Sequence, residues 1–481
     1  MEDGEDKPRV GVDEWVANVE DRREHRTGFA GVARRIDELV PPWARLLLFG
    51  AFAASLPLWM GRGDLFAYGI FTLIYILLGL GLNVVVGYAG LLDLGYVALF
   101  GFGAYFYALL SSEHYGIHWP SAVSIPVVVA STALLGLVLG VPSRRLLGDY
   151  LAIVTLFFGQ AFVVFVNAAN PTVRGKGLTG GPNGIADIDP NDLFGYELTT
   201  RRQQYWFILA VVLLVLIGLH FLSESRTGRA WRALREDPLA AEVMSIPVNR
   251  LKLMAFAFGA GIAGLTGCMF AAVLTAVTSG NFALPILITI YAIVILGGIG
   301  SLTGVVIGAI VINVSFQFLA PENPQNSARL LFYAVVVLLL VLSIKPWWRL
   351  ATVLGGTLVF GFVAHTVAEA ISPSWTAGAV VEGGRFASVI SDWVIIPLGH
   401  ERFANIAYIA LIVAVLAVTR IHGWWRTLLL IPTIYLAAIV WETSFVEQPA
   451  VARWILFGAL LVTLMTVRPQ GLLGTPRVEI V

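Results

Sequence analysis

Charge is scarce in this chain. Asp, Glu, Lys and Arg supply 13% of its 481 residues, about half the usual share of a soluble domain. The 31 basic and 31 acidic side chains cancel. Nothing in that balance would draw a polyanion, so no nucleic acid is expected as a partner. Cysteine is nearly absent. Cys268 stands alone in an apolar run, which excludes an intrachain disulfide and any cysteine-based metal cluster; it reads as a small packed side chain. The seven histidines are scattered, and His114 and His118 flank Gly116 in a loop with no evident third ligand. No metal site is expected, and the chain is not read as an enzyme. A GxxxxGK[ST] run is also missing, because Gly175-Lys176-Gly177 lacks the spacing, so the chain has no phosphate loop for ATP.

What the chain does have is apolar surface. Hydrophobic side chains make up 58% of it, more than a water-soluble domain buries, so lipid is the expected solvent. Apolar stretches approaching the roughly 20 residues that span a bilayer lie near 43–60, 65–86, 91–111, 121–141, 150–167, 204–222, 252–276, 285–298, 301–319, 329–344, 351–371, 404–419, 427–441 and 453–467. The expected fold is all-α: a polytopic transmembrane helix bundle of about 14 spans. Lys and Arg in short loops set the orientation. With the N-terminus inside, the inner loops hold Arg144-Arg145, Arg226 to Lys252, Lys345 with Arg349, Arg420 with Arg426, and the tail with Arg468 and Arg477, whereas His114 to Pro120 outside holds none. Both termini are therefore expected on the cytoplasmic side of a bacterial plasma membrane. The first 42 residues are polar and lack the basic-then-apolar pattern of a cleavable signal. Within them Phe29, Val32, Ala33, Ile36 and Val40 form a stripe that fits either a helix lying on the membrane or a partly ordered linker.

Three segments carry candidate mechanism. Gly79 to Tyr105 holds glycines at 79, 81, 87, 90, 95, 101 and 103. Irregular backbone at membrane depth survives only where protein buries it or it lines a wet cavity, so this reads as a discontinuous helix beside a pathway. The plainer reading is close helix packing. Asp93 lies inside the segment, as a functional group at depth or as a helix N-cap near the interface. Leu178 to Ile185 is a dense turn signal outside the membrane, either a loop of positive-φ glycines or part of an outer mouth. Ser225 to Lys252 carries Asp237-Pro238, an N-cap with proline at the first helical position. Pro247 stops this short, Ala-rich helix among arginines, whose small side chains suit docking into another protein's groove; a solvated basic loop is the alternative.

These residues resemble the LivM-type permeases of the branched-chain amino acid ABC importers. The resemblance rests on GLNVVVGYAGLLDLGYVALFGFGAY (81–105), GDYLAIVTL (148–156), LTGGPNGI (178–185), SRTGRAWRALREDPLAAEVMSIPV (225–248) and RPQGLLG (468–474), in the family's order. It implies a pathway for aliphatic amino acids with no cofactor in this chain, ATP being used by a partner. The implied partners are a second permease subunit, cytoplasmic P-loop ATPase subunits, an extracytoplasmic substrate-binding protein and the lipid bilayer. The family's coupling helix carries over to Arg235, Glu236, Asp237, Ala240, Ala241, Glu242 and Ile246, with Ala240 to Glu242 at the centre of the ATPase contact. Candidate pathway residues are Asn83, Gly87, Gly90, Asp93 and Thr155; candidate outer-mouth residues are Thr179, Gly180, Gly181 and Asn183.

The chain departs from the family at Ser245, where glycine is expected after the coupling helix, in a longer N-terminus, and at 346–451, which reads as inserted membrane helices with an outer loop at 372–403. The expected organisation is an N-terminal segment 1–42, a permease core 43–345 with the coupling loop 223–250, the insertion 346–451, and a final span with its tail, 452–481. Two other readings stay open. One is a permease for urea or short amides. The other is a transporter driven by an ion gradient, for which Asp93 and Glu369 are the ionisable candidates.

Overall fold

The computed structural model describes residues 42–143, 149–318 apart from 169–170, 174–175 and 194, 332–337, 340, 341, 344, 347–378, 387–397, 401–445 apart from 422, and 454, 455, 458, 462 and 471–473. The expectations for the N-terminal segment, for part of 329–344 and for most of 453–467 lie outside these residues. Uncharged apolar runs in lipid leave the backbone no partner but itself, and a helix satisfies every interior amide. Nine described helices are long and apolar enough to cross a bilayer, and three shorter apolar ones cover Leu48–Trp59, Tyr96–Leu110 and Leu302–Gln317. The polytopic all-α bundle expected from the sequence is what forms. Among the described residues, paired strands are confined to two-residue hairpins such as β1 (Ser111–Ser112) with β2 (Ile117–His118).

The main bundle contains α1 (Pro42–Trp59), α2 (Arg62–Tyr88), α3 (Tyr96–Leu110), α4 (Ser121–Ser143), α5 (Asp149–Ala168), α6 (Arg201–Glu224), α7 (Arg226–Glu236), α8 (Pro238–Val243), α9 (Val248–Leu274), α10 (Leu284–Gly297) and α11 (Leu302–Phe318). Helix α9 is its spine and packs along α4, α3 and α2. Backbone nearly meets backbone there: a Cβ on Gly103 would stand 2.5 Å from the Gly264 Cα, and one on Gly267 2.5 Å from the Ala104 nitrogen. In lipid, such small-residue contacts replace the hydrophobic drive that water would supply. One contiguous core runs from Ala53 to Ile312.

A second cluster, Ile390 to Val440, lies with α12 (Trp347–Ile371), α13 (Glu401–Arg420) and α14 (Trp424–Val440). Trp393 donates from Nε1 to the Leu358 carbonyl at 3.1 Å, and the Tyr435 hydroxyl donates to the Trp393 carbonyl at 3.0 Å. These bonds tie α12 and α14 to the segment between α12 and α13.

The connections between helices sort onto two ends. One end is capped by β1–β2, residues 171–200 and residues 275–283. There Asp189 N donates to the Ser111 carbonyl at 2.9 Å, and Ile185 pairs with Val277 through bonds of 3.0 and 2.9 Å. The other end gathers the close of α2, α7, α8, the α10–α11 turn and residues 471–473.

Candidate functional site

Helix α2 has 27 residues, about 40 Å at 1.5 Å per residue, against about 30 Å of hydrocarbon. Its last turn, Asn83–Tyr88, is π-helical, a widening common at functional sites. Ala89 N reaches back to the Val84 carbonyl at 3.3 Å and Leu91 N to Val85 at 3.0 Å. Gly90, at φ 69°, turns the chain back toward α3. The Gly87 carbonyl accepts from Arg235 Nη1 at 2.8 Å. The buried Asn83 accepts at Oδ1 from the Gly300 amide, also at 2.8 Å. Asn83, Gly87 and Gly90 thus meet around Arg235 and Gly300.

Asp93 and Thr155 form an adjoining set. Asp93 is buried and accepts at Oδ1 from the Gly95 amide at 2.9 Å. Its backbone carbonyl accepts from the Tyr291 hydroxyl at 2.6 Å. Thr155 Oγ1 accepts from the Leu94 amide at 2.9 Å. The carboxylate therefore fastens the turn into α3, while α5 and α10 hold the irregular backbone on either side. Asp93 Oδ2, Asn83 Nδ2 and the Tyr96 hydroxyl are buried without a hydrogen-bond partner among the described residues, where buried polar atoms are ordinarily paired. A cavity of about 430 Å³ lies elsewhere, lined by Phe52, Leu56, Asp64, Tyr68, Tyr205 and Val314 among others. None of the five pathway candidates lines it.

The outer-mouth candidates sit at the opposite end of α5. Thr179 is buried, and its Oγ1 donates to the Val166 carbonyl at 2.8 Å. Gly180 and Gly181 take φ of 72° and 61° around a short 3-10 turn, Gly181–Asn183. Asn183 is exposed at the tip, so the loop offers Pro182 and Asn183 outward while Thr179 anchors it. Nearby, His118 Nδ1 lies 2.7 Å from Asp189 Oδ2 and Nε2 3.7 Å from Glu113 Oε1. The hydrogen bond to Asp189, with its charge, raises the His118 pKa above the ordinary value. Partial burial works against ionised Asp192, but bonds from the Ser121 amide and hydroxyl outweigh it and lower that carboxyl.

Helices α7 and α8 carry the coupling candidates. Ser225 caps α7, accepting from the Gly228 amide at 3.2 Å. Trp231 pins α7 to α9 through its Nε1 bond to the Leu251 carbonyl at 2.9 Å. Asp237 caps α8 with bonds of 2.8 and 3.1 Å from Leu239 N and Ala240 N, with Pro238 at the first position. At the far end, Ser245 N bonds the Glu242 carbonyl and Ile246 N the Ala241 carbonyl, each at 3.0 Å. This pair is a Schellman motif. It requires a left-handed residue, and Ser245 adopts φ 63°. The turn expected of glycine is kept by serine. Ala241 is turned inward, 4% exposed, while Leu239, Val243 and Met244 are 75, 84 and 76% exposed. Ala240, Glu242, Glu236 and Asp237 are exposed beside them, Ile246 is half-buried, and Arg235 points into the bundle.

Sequence reasoning did not single out Gly300, Tyr291 or the tail contact. Leu472 N and Leu473 N bond the Leu296 and Gly297 carbonyls at 2.9 and 3.0 Å, capping α10. The available signal was the glycine-rich Gly297-Gly298-Ile299-Gly300 between two apolar stretches.

The family described as branched-chain amino acid transport system / permease component matches residues 65–342. The high-affinity branched-chain amino acid transport system permease protein LivM of Escherichia coli (strain K12) is 37% identical over 312 residues, 60% of this chain and 71% of that protein. LivM of Salmonella typhimurium is 35% identical over 319 residues, 62% of this chain and 72% of its own length. The permease protein LivH of Salmonella typhimurium is 25% identical over 199 residues, 41% of this chain and 62% of that protein. No solved structure matches the chain. The motifs at 81–105 and 225–248 fall within the matched span, and the chain belongs to the branched-chain amino acid permease family.

Proposed function

We propose that this chain is one of two permease subunits of an ATP-driven importer, that it forms part of the path for branched-chain amino acids, and that its partners are a second permease, P-loop ATPase subunits and an external binding protein. The observation that carries the reading is α8. Leu239, Val243 and Met244 project from a capped two-turn helix on a basic loop, at the bundle end where Lys and Arg concentrate. Positive loops face the cytoplasm, so this end, with both termini, is inside, and the apolar face meets the ATPase. The β1–β2 end is outside, and the loop tip at Pro182 and Asn183 meets the binding protein. The relatives' names supply the substrate class.

The test is purification of the tagged chain in mild detergent, beside a chain whose residues 237–246 are replaced by a Gly/Ser linker. The reading expects a P-loop ATPase with the wild type, lost from the replaced chain while the second permease stays. A well-folded wild-type chain without an ATPase, moving solute along a proton or sodium gradient instead, would contradict it.

A further inference from the structure

We infer that Arg235 is an internal latch: it joins the coupling segment to the broken end of α2, rather than touching the ATPase, and so transmits the movement of α8 to the membrane helices. The inference rests on the importer reading above for its readout. It rests on geometry for its substance.

Arg235 is the last basic residue of α7 and precedes the α8 cap, Asp237, by two positions. The Asp237 amide still bonds the Ala233 carbonyl at 3.2 Å, so the end of α7 and the start of α8 are one hydrogen-bonded piece. From there the guanidinium turns inward and donates to the Gly87 carbonyl at 2.8 Å. That carbonyl lies in the π turn at the C-terminal end of α2, where helix carbonyls lack helical partners and a fixed cation is favoured. Arginine supplies a rigid, permanently charged fork for this purpose.

The surroundings are shaped to this side chain. A Cβ on Gly90 would lie 3.0 Å from the Arg235 Cγ and 3.2 Å from its Cα. A Cβ on Gly300 would lie 2.7 Å from Nη1, and one on Gly87 2.0 Å from Asn83 Oδ1 and 2.8 Å from the Gly300 nitrogen. Gly90 and Gly300 also hold φ of 69° and 89°, which side chains resist. Gly90 and Gly300 thus leave room for the arginine, and Gly87 leaves room for the Asn83–Gly300 contact beside it. Through the Asn83 bond to Gly300 the contact extends to the α10–α11 turn. A shift of α8 that carries Arg235 with it therefore moves the guanidinium against α2 and, through Asn83, against that turn. Coupling of this kind needs an element shared by both sites; Trp231 ties α7 to α9, and Arg235 is the side chain that reaches the broken end of α2.

The test uses the assembled importer in vesicles, comparing wild type with Arg235→Ala and Arg235→Lys for ATPase co-purification and for substrate moved per ATP. The latch expects Arg235→Ala to keep its ATPase subunits at wild-type stoichiometry while transport per ATP falls roughly tenfold. Arg235→Lys, which keeps the charge and the donors but loses the planar fork, should recover part of the loss. Loss of the ATPase from Arg235→Ala would make Arg235 a docking contact and overturn the inference. An equal fall in uptake and hydrolysis would reduce it to a structural residue and overturn it too. Hydrogen exchange on the purified chain provides a readout independent of the ATPase. Arg235→Ala should speed exchange at 87–91 and 298–301 together, by about tenfold, and unchanged exchange there also overturns the latch. A wild-type chain that brings no ATPase at all contradicts the importer reading, while the exchange measurement still decides the latch.

Discussion

Ser245 holds φ 63° at the end of α8, a conformation that costs a non-glycine residue about 1 kcal/mol or more. Ser245→Gly is expected to stabilise the chain by about 1 kcal/mol, read as a higher unfolding midpoint in detergent. The sequence marked this position as a departure from the family but not that the backbone would keep the glycine conformation, because the Schellman bonds decide that. His118 supports a different measurement. Its pKa is raised by the hydrogen bond to Asp189, so the stability it contributes is complete below its ordinary pKa near 6.5. That stability is lost as pH rises through the higher folded value. Exchange protection of 111–118 and 188–192 is expected to weaken as pH rises above neutrality in the wild type and to stay level in His118→Gln. A wild-type profile as flat as the variant's would contradict this. Asp93 was readable as either a pathway acid or a cap. Its bond to the Gly95 amide braces the turn ahead of α3, whose N-cap is Gly95 itself, and its other oxygen has no partner among the described residues.

Helix α8 was legible in its boundaries, since Asp237-Pro238 at one end and Pro247 beyond the other are local chemistry. Its faces were not. Small side chains suggested Ala240 and Ala241 as the contact surface, but Ala241 is buried against the chain, and the larger Leu239, Val243 and Met244 stand free. Which face a helix of two turns presents is set by its neighbour α9, and no periodicity over six residues reveals it. Replacing all three with Ser should weaken ATPase association roughly a hundredfold without moving the unfolding midpoint, as equilibrium binding and thermal scans would show. Between α3 and α9 the glycine-rich readings also resolve. Gly103, Gly264 and Gly267 serve close packing, while Gly87 and Gly90 serve the broken turn. Gly267→Val is expected to cost at least 1–3 kcal/mol by overpacking, measured as a fall in unfolding midpoint. Those roles separate only once the α3–α9 crossing is known, because sequence spacing alone offers both.

Across the whole molecule, alternation and loop charge made the bundle readable, and the termini of single helices were softer. Tyr96–Leu110 and Leu302–Gln317 are shorter than a full span, because α3 starts beyond an irregular segment that protein buries. A long-range contact bears on the topology. The tail at 471–473 returns to the carbonyls that end α10, so the chain must cross the membrane an even number of times between residues 297 and 471. That contact joins residues far apart in sequence, and no local pattern announces it. On the proposed reading this chain moves branched-chain amino acids at the expense of ATP used elsewhere. The most direct test of that reading is leucine uptake by vesicles carrying the chain with its co-purified partners and a leucine-loaded binding protein, with and without ATP inside. Uptake that needs ATP, is competed by isoleucine and valine but not urea, and disappears when 237–246 is replaced is the expected result. Uptake that ignores ATP and follows a proton or sodium gradient would contradict the account.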